Sequence, residues 1–305
     1  MYDLTIIGGG PGGVAAGVYA ARKKMKALLV TDGFGGQSVT SAGIANWIGT
    51  KLISGYDLAK NLEDHLRAQE GIEIIDDDRV IAVQKTSAGF LLATENGKKI
   101  ETKYILLASG SSRRKLGIPG EKELDGKGVA YCSTCDAPIF KNKTVAVVGG
   151  GNSALESVMD LLPYASKIYL LVRSEVLKGD LVTQEKIKQH PNVEVIFNAV
   201  PQEILGKDFV SGVRYKNVKN SETKELALDG TFVEIGLTPN SDFIKDLVHR
   251  DDRGAVIVDP KTQATSEAGI WAAGDVTDAL YKQNNISVGD AAKAVLNIYD
   301  HIKKN

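Results

Sequence analysis

Two glycine-rich segments, each lying between a predicted strand and a predicted helix, place the strongest constraint on the fold of this chain. The first occupies residues 8–13, after an apolar run over residues 4–7 and before a helical pattern over residues 14–24. A further apolar run over residues 27–30 completes a strand–turn–helix–strand unit. Short β-rich runs that alternate with helical stretches favour a mostly parallel sheet covered by helices.

The same order of elements returns further along the chain. The sequence predicts a strand over residues 144–148, a turn over 149–154, a helix over 153–162 and a strand over 168–172. Two such units predict an α/β fold with two Rossmann-like, three-layer nucleotide-binding domains. A chain of 305 residues has room for two separate cores.

Two segments have the composition expected of crossings between domains. One covers residues 109–120, is rich in Gly, Ser and Arg, and ends in Ile118-Pro119-Gly120. The other covers residues 236–240. We therefore predict that a second domain, residues 115–238, is inserted into a first domain formed by residues 1–114 and 239–305. Two short crossings of this kind also fit a hinge.

Gly8, Gly10 and Gly13 have the GxGxxG spacing of a dinucleotide-binding turn. The first glycine makes the tight turn, the second lets the backbone approach a pyrophosphate, and the third lets the helix pack on the strand. The N-terminus of the following helix offers unpaired N–H groups to the phosphates. Thr31 and Asp32 end the second strand, where a ribose hydroxyl would be held; Asp32 is equally compatible with a solvated turn.

Gly149, Gly151 and Ala154 repeat this spacing, with the alanine that the fingerprint allows at its third position. A coincidental glycine turn is the alternative for either segment taken alone. Two such loops in the same chain are a more specific signal, and they predict two nucleotide sites.

The only two cysteines, Cys132 and Cys135, form a single CxxC between the two loops. Half of a zinc site is the alternative, but tetrahedral zinc needs four ligands, and the four histidines show no paired spacing. We predict a redox-active dithiol and no metal site, because a CxxC setting lowers thiol pKa values. Asp136 follows directly and is suited to carry protons to a leaving thiolate; a helix-capping aspartate is its alternative.

The composition and net charge give no sign of a nucleic-acid or membrane partner. Hydrophobic residues make up 43% and charged residues 25% of the chain, and the formal net charge is −1. This balance gives no reason to expect a nucleic-acid or anionic-membrane partner. No apolar run approaches the ~20 residues that span a bilayer, and no signal peptide is visible at the N-terminus. We expect a cytoplasmic protein.

The motifs resemble those of the low-molecular-weight thioredoxin reductases over nearly the whole chain. The order of the landmarks is diagnostic, and the CxxC inside the second nucleotide domain is the most specific of them. Besides the glycine loops and the CxxC, they are Gly35-Gly36-Gln37, Asn46-Trp47, Ala108-Ser109-Gly110, Gly236-Leu237-Thr238-Pro239-Asn240, Ala272-Ala273-Gly274-Asp275-Val276 and Tyr281-Lys282-Gln283. The chain is also similar to the flavoprotein component of alkyl hydroperoxide reductase, whose members use NADH and carry an additional N-terminal thioredoxin-like domain that we do not find in this sequence.

The resemblance implies FAD on the first domain, residues 1–114 and 239–305, and NAD(P)H on the second, residues 115–238. The residues implied for FAD are Gly8, Gly10, Pro11, Gly13, Thr31, Asp32, Gly35, Gly36, Gln37, Asn46, Val80, Ser109, Gly110, Gly274, Asp275, Lys282, Gln283 and Asn284. Those implied for NAD(P)H are Gly149, Gly151, Asn152, Ser153, Ala154, Glu156, Arg173, Lys178 and Gly236.

The resemblance also implies the catalytic roles. Cys135 is the thiol nearest the flavin, Cys132 attacks the partner disulfide, and Asp136 is the acid and base. Members of this family are homodimers whose nucleotide domain rotates between two orientations. Their electrons leave through a separate thioredoxin or glutaredoxin-like protein.

The segment over residues 172–178 departs from the family pattern. Members that use NADPH carry a His-Arg-Arg-x-x-x-Arg run here, whereas this chain keeps Arg173 and Lys178 but has Ser174 and Glu175 between them. Glu175 disfavours a 2′-phosphate and suits ribose hydroxyls. NADPH and NADH both stay open as the cofactor, with a slight preference for NADPH.

The predicted function is therefore that of a thioredoxin-disulfide reductase, an FAD-dependent pyridine-nucleotide disulfide oxidoreductase. One alternative keeps the fold but takes electrons from ferredoxin or a deazaflavin, or oxidises dithiols. The intact second loop disfavours it, while the altered 172–178 segment leaves room for it. An alternative of another class is a redox-sensing, nucleotide-binding regulator.

Overall fold

The computed structural model describes residues 1–41, 43–44 and 46–304, except for the side chains of Thr40, Thr134 and Cys135. The chain divides into two compact units. Unit 1 is formed by Met1–Ser112 and Thr238–Asn305, and unit 2 by Arg113–Leu237. Each unit is an α/β Rossmann-like layer structure, and the second interrupts the first in sequence. The divisions fall inside the two segments predicted as crossings.

The helices of the described chain are α1 (Pro11–Arg22), α2 (Gly55–Arg67), α3 (Ser133–Asp136), α4 (Asn152–Leu161), α5 (Leu181–Gln189) and α6 (Asn284–Lys304). Short 3₁₀ helices cover Gly36–Thr40, Ala137–Phe140, Asp242–Ile244 and Gly274–Val276. Within the described residues, no helix combines the length and apolar character required to cross a bilayer.

The strands are β1 (Tyr2–Gly9), β2 (Ala27–Phe34), β3 (Ile72–Ile75), β4 (Val80–Thr86), β5 (Gly89–Thr94), β6 (Lys99–Leu107), β7 (Ser111–Arg113), β8 (Val129–Ala130), β9 (Thr144–Val148), β10 (Lys167–Val172), β11 (Val193–Phe197), β12 (Ala199–Gly206), β13 (Val210–Asn217), β14 (Thr223–Ala227), β15 (Gly230–Val233), β16 (Leu237–Pro239) and β17 (Ile270–Ala272). β7 and β16, which belong to the two crossings, pair with each other.

The main sheet of unit 1 has the order β3-β2-β1-β6-β5-β4, with β17 also paired to β6. β1, β2, β3 and β17 run parallel to their neighbours, whereas β4, β5 and β6 form an antiparallel meander. Alternate residues of the parallel strands enter different cores. Leu4 and Ile6 pack with α1 and α6, while Ile7 packs on the opposite face with the β4–β5 side. Burial on both faces explains why these strands read as continuous apolar runs.

Unit 2 has the parallel order β11-β10-β9-β15-β8 and a separate antiparallel sheet β12-β13-β14. Val145 and Val147 of β9 pack in the cluster that contains α4 side chains. Ala146 and Val148 of the same strand pack on the other face, against residues of β12 and β13. Helices, parallel sheet and antiparallel sheet are therefore the three layers of this unit.

Both helices after the glycine turns begin earlier than the apolar pattern predicts. α1 starts at Pro11 rather than residue 14, because the fixed φ of proline suits the first helical position and extended Gly10 is its N-cap. It ends at Arg22 rather than residue 24, since Lys24 has a φ of 56° and leaves the helix. α4 likewise starts at Asn152, next to extended Gly151.

A buried carboxylate fixes the chain that leads into the CxxC. Glu121 is 4% exposed and accepts hydrogen bonds from the backbone N–H groups of Leu116 and Gly117, at 2.8 and 2.7 Å. The Tyr131 hydroxyl donates to the same carboxylate at 2.9 Å, and burial together with this bond raises the Tyr131 pKa. The residue before Cys132 is thereby tied to the start of unit 2.

We expect Glu121→Ala to lower the free energy of unfolding by about 2–3 kcal/mol, because it leaves buried donors without an acceptor. Urea denaturation of the oxidised protein measures this change. Glu123→Ala, which removes an exposed carboxylate two residues away, is the matched control and is expected to change stability by less than ~0.5 kcal/mol. Equal effects of the two substitutions would contradict the role given to Glu121.

Candidate functional site

The first glycine turn is closed by backbone contacts that leave no space for side chains. A Cβ on Gly8, whose φ is +114°, would lie 2.3 Å from the Ala108 carbonyl oxygen, and a Cβ on Gly13 would lie 1.8 Å from the Gly8 oxygen. A Cβ on Gly10 would instead enter open space, with its nearest neighbour, the Cα of Gly36, 3.9 Å away. Gly8 and Gly13 therefore shape the turn, whereas Gly10 leaves its outer face clear.

A cavity of about 390 Å³ lies against this turn in unit 1. The N-terminal residues of α1 and of α6 both line it, so two helix ends present N–H groups and positive dipole ends to the same space. Such an arrangement suits an anion. The predicted FAD residues that line this cavity are Gly8, Gly10, Pro11, Thr31, Asp32, Gly36, Gln37, Ser109, Gly110, Gly274, Asp275 and Asn284.

A second cavity, of about 610 Å³, adjoins the first and shares Thr31 and Asp32 with it. Predicted Val80 lines this space together with Arg79, whose guanidinium lies 3.0 Å from the Asp32 carboxylate. Asp32 belongs to β2, so its interpretation as a turn residue is wrong. The Thr31 hydroxyl donates to the Gly33 carbonyl at 2.6 Å and fixes the end of that strand.

The remaining predicted FAD residues are held by hydrogen bonds near these cavities. The Gly35 N–H donates to the Gly9 carbonyl at 3.0 Å. The Asn46 amide donates to Gln283 at 3.0 Å and thereby ties the loop before α2 to the start of α6. Lys282 donates to a backbone carbonyl, that of Thr277, at 2.5 Å.

Asp275 and Lys282 perturb each other's proton affinity. Burial raises the pKa of Asp275, and the Lys282 charge and a hydrogen bond from Ser287 oppose this rise. Burial lowers the pKa of Lys282, against the pull of the surrounding carboxylates, Asp275 first among them. A charged group that entered the cavity beside Asp275 would therefore change the pKa values of both side chains.

Sequence reasoning missed residues that complete the first site. Asn240 lines both cavities; its amide donates to the Ser109 carbonyl at 2.9 Å, and the Ser109 and Ser112 hydroxyls each donate to an Asn240 oxygen at 2.7 Å. Ser287 and Arg79 were also missed. Asn240 belongs to the second crossing motif and was recognisable from it, whereas Ser287 and Arg79 belong to no motif.

The second glycine turn repeats this geometry within unit 2. Gly149 has a φ of +152°, and a Cβ there would lie 2.2 Å from the Glu234 carbonyl oxygen and 2.8 Å from the Ala154 side chain. Nothing lies within 4 Å of a Cβ on Gly151, the N-cap of α4. The outer face of this turn is therefore also open to a ligand.

The other residues predicted for this second site lie around the N-terminus of α4. Ser153, Glu156, Arg173, Lys178 and Gly236 are solvent-exposed. Asn152 has a structural contact, since its side-chain oxygen accepts from the Asp180 N–H at 2.7 Å. Glu175 does not stand alone, because the Lys219 ammonium lies 3.1 Å from its carboxylate.

Cys132 is half-buried and disulfide-bonded. It is the N-cap residue of α3, and its carbonyl accepts from the Asp136 N–H at 3.0 Å. Between the cysteines, the Ser133 hydroxyl donates to Asp160 of α4 at 2.8 Å. The side chain of Cys135 lies outside the described part of the structure, so its predicted role stays a prediction.

Asp136 has the properties of a proton donor. Burial raises its pKa, and the positive charge of Arg113 partly opposes this rise. Its side chain makes no capping hydrogen bond to the following 3₁₀ helix, which removes the support for the capping alternative. A carboxyl group whose pKa is raised, close to a disulfide, is suited to protonate a leaving thiolate.

A family model described as pyridine nucleotide-disulphide oxidoreductase matches residues 2–294. The chain belongs to this family. Among solved structures, it is similar to the thioredoxin reductase of Lactococcus lactis, with 34% identity, a TM-score of 0.87 and coverage of 100% of both chains. The thioredoxin reductase of T. acidophilum is 35% identical, with a TM-score of 0.83 and 99% coverage of both chains.

Curated relatives carry a different name. The F subunit of alkyl hydroperoxide reductase from Staphylococcus aureus is 41% identical over 304 residues, which are 100% of this chain and 60% of that relative. The corresponding protein of Staphylococcus epidermidis matches to the same extent. The chain thus spans 60% of the length of these relatives. The family model and the solved structures together show a member of the pyridine nucleotide-disulphide oxidoreductases built from Rossmann-like units.

The residues of unit 1 fit the FAD that membership of the pyridine nucleotide-disulphide oxidoreductases implies. Gly10 leaves room beside two helix N-termini, as a pyrophosphate requires. The paired cavities, at about 390 and 610 Å³, are in the size range of ligand sites. The open face of Gly151 fits the pyridine nucleotide in the same way.

We expect Gly10→Ala to fold normally, because the φ of Gly10 is −70° and its Cβ meets no atom within 3.5 Å. The added methyl group occupies the open face of the turn, and we expect at least ~10-fold weaker FAD binding, equivalent to about 1.4 kcal/mol. Flavin fluorescence titration of the apoprotein measures this affinity. Gly289→Ala, in an open position of α6, is the control; an equal loss in both variants would contradict the assignment.

Proposed function

We propose that this protein is a thioredoxin-disulfide reductase, which passes electrons from NAD(P)H through FAD to the Cys132–Cys135 disulfide and on to a thioredoxin-like protein. The observation that carries the proposal is the disulfide-bonded Cys132 close to Asp136, whose pKa burial raises, in the same unit as an open glycine loop. FAD in unit 1 and the pyridine nucleotide in unit 2 supply the hydride and electron transfer when they are bound.

The protein's own residues carry the thiol chemistry. In the reduced state, the Cys132 thiolate attacks one sulfur of the partner disulfide, so a mixed disulfide forms as the partner's S–S bond breaks. The departing partner sulfur takes the electron pair and receives a proton from Asp136. Cys135 then attacks the Cys132 sulfur, so the bond to the partner breaks as the intramolecular disulfide forms again. The second partner sulfur takes the electron pair and the proton that Cys135 gives up, and the partner leaves as a dithiol. Two electrons leave the enzyme for each disulfide reduced.

The names of the relatives suggest two kinds of acceptor. The similar solved structures are thioredoxin reductases, whereas the curated relatives are components of an alkyl hydroperoxide reductase. We favour a thioredoxin or glutaredoxin-like protein, because the solved structures that this fold resembles, with TM-scores of 0.87 and 0.83, are thioredoxin reductases. A homodimer and a cytoplasmic location, both implied by the resemblance, stay predictions.

We expect Cys135→Ser to abolish reduction of thioredoxin while anaerobic NAD(P)H still bleaches the flavin band, because only the dithiol half of the route is cut. Cys132→Ser is expected to have the same outcome with the partner. Stopped-flow absorbance follows the flavin, and insulin precipitation follows thioredoxin. Full disulfide-reductase activity in either variant would overturn the proposed route. In the wild-type protein, a flavin that dithiothreitol bleaches but neither nicotinamide nucleotide bleaches would favour a non-nicotinamide donor.

We infer that NADPH is the preferred nucleotide. Arg173 and Lys178 are exposed at the end of β10, and Lys219 pairs with Glu175, which offsets the one carboxylate in this segment. The remaining positive charge favours a 2′-phosphate over a bare ribose hydroxyl.

We therefore expect Lys219→Ala to raise the KM for NADPH about 3-fold with little change for NADH, since exposed ion pairs contribute up to about 1 kcal/mol. Glu175→Gln is expected to lower the KM for NADPH. Steady-state kinetics with both nucleotides provides the test. Lys216→Ala, on β13 just before the turn that contains Lys219 and also exposed, is the control. An equal effect of Lys219→Ala on both nucleotides would contradict the preference.

A further inference from the structure

Cys132 lies at the junction between a strand and a helical turn of unit 2. It comes just after β8, which pairs with β15 in the parallel sheet. It is the N-cap of α3, with an extended backbone at φ −142° and ψ 100°. Its carbonyl accepts from the Asp136 N–H at 3.0 Å, which closes one helical turn over the CxxC. The position of Cys132 relative to that turn therefore depends on how its two neighbours in the chain are held.

The neighbour on the strand side is held by a buried carboxylate. The Tyr131 hydroxyl donates to Glu121 at 2.9 Å. Glu121 is 4% exposed and also accepts from the backbone N–H groups of Leu116 and Gly117, at 2.8 and 2.7 Å. The Lys115 ammonium lies 3.5 Å from the centroid of the Tyr131 ring, so the ring is held at its face as well as at its hydroxyl. Burial and the bond to Glu121 raise the pKa of Tyr131, so its hydroxyl remains a donor.

The neighbour on the helix side is held by a second carboxylate. Ser133, the first residue of α3, is 7% exposed, and its hydroxyl donates to Asp160 at 2.8 Å. Asp160 belongs to α4, whose Val158 and Leu161 are fully buried in the core of the unit. The helical turn that contains the CxxC is thereby fixed to a well-packed helix. Hydrogen bonds to carboxylates are stronger than those between neutral groups.

We propose that Tyr131 and Ser133 are positioning residues for Cys132: their hydrogen bonds to Glu121 and Asp160 hold both sides of this cysteine and keep its sulfur oriented for the bond to Cys135. This inference rests on the proposed function, in which the two cysteines alternate between dithiol and disulfide. Two thiols that are held close and correctly oriented form a disulfide more readily, because less freedom is lost when the S–S bond forms.

The test is the equilibrium of the CxxC with dithiothreitol, measured anaerobically in the holoenzyme without nicotinamide nucleotide or thioredoxin. Oxidised dithiothreitol takes two electrons and two protons from the two thiols as the Cys132–Cys135 bond forms. After acid quenching and alkylation, mass spectrometry counts the remaining thiols. We expect Ser133→Ala and Tyr131→Phe each to lower the equilibrium constant for disulfide formation about 3–10-fold, the range to which the loss of one hydrogen bond corresponds.

Variants of Asp160 separate the hydrogen bond from the charge of the carboxylate. Asp160→Asn keeps an oxygen that accepts from Ser133, so we expect an equilibrium constant close to the wild-type value. Asp160→Ala should instead reproduce the loss in Ser133→Ala. Ser166→Ala is the matched control, since it removes a hydroxyl that donates to the Lys143 carbonyl at 3.0 Å elsewhere in unit 2, and it should leave the equilibrium unchanged.

An equilibrium constant that is unchanged in both Ser133→Ala and Tyr131→Phe, or raised in either, would overturn the inference. A change confined to one variant would overturn the role of the other residue. A loss in Asp160→Asn as large as that in Ser133→Ala would also contradict it, because charge would then carry the effect. Should one of the two variants fail to fold, the other decides the question. Because this equilibrium is read without turnover, absent thioredoxin reduction in the wild-type protein would overturn the proposed function alone.

Discussion

The close contacts between backbone atoms at the two glycine turns determine where the helices and side chains of the two predicted nucleotide sites lie. At the first turn, Gly13 sits so close to the Gly8 carbonyl that the helix starts directly over the end of β1. The second turn brings Gly149 equally close to Glu234 at the end of β15. These contacts leave no room for a side chain at Gly8, Gly13 or Gly149, and at the first turn the helix N-terminus lines the cavity.

The CxxC depends on a different kind of support. No glycine turn holds it; instead, side chains fix it from three directions. Glu121 restrains Tyr131 before the motif, Asp160 accepts from Ser133 inside it, and Arg113 acts on Asp136 after it. Glu121 and Asp160 thus hold residues on either side of Cys132, and the charge of Arg113 opposes the raised pKa of Asp136. In the proposed sites, backbone atoms would serve the nucleotides and side chains the thiol chemistry.

This difference explains what the sequence revealed. The fold class and the order of strand, turn and helix followed from local spacing, because glycine positions and apolar runs record backbone geometry directly. The helix starts were misjudged by a few residues, since Pro11 and Asn152 enter the helix while the sequence still reads as a turn. The positions of Gly8, Gly10 and Asp275 around one cavity agree with the roles that the resemblance implied, although those roles stay predictions.

Contacts between residues that are far apart in the chain cannot be predicted from local spacing in the same way. Arg113 and Glu234 are far apart in sequence and meet only through the registers of unit 2, and Asn240 reaches Ser109 across a similar interval. The Arg113–Glu234 pair has no local pattern, because charged residues at these positions look like surface residues in sequence. Ser109 and Asn240 each lie in a motif, but the motifs do not show that the two residues meet.

The exposed segment after β10 has a consequence for how this enzyme can change over time. Arg173, Glu175 and Lys178 project from a strand end whose buried residues, such as Leu171 and Val172, already secure it. Substitutions among these charges therefore carry little penalty in folding. On the proposed assignment of this segment to the pyridine nucleotide, surface substitutions alone would suffice to change which nucleotide is preferred, without altering the glycine turn or the CxxC.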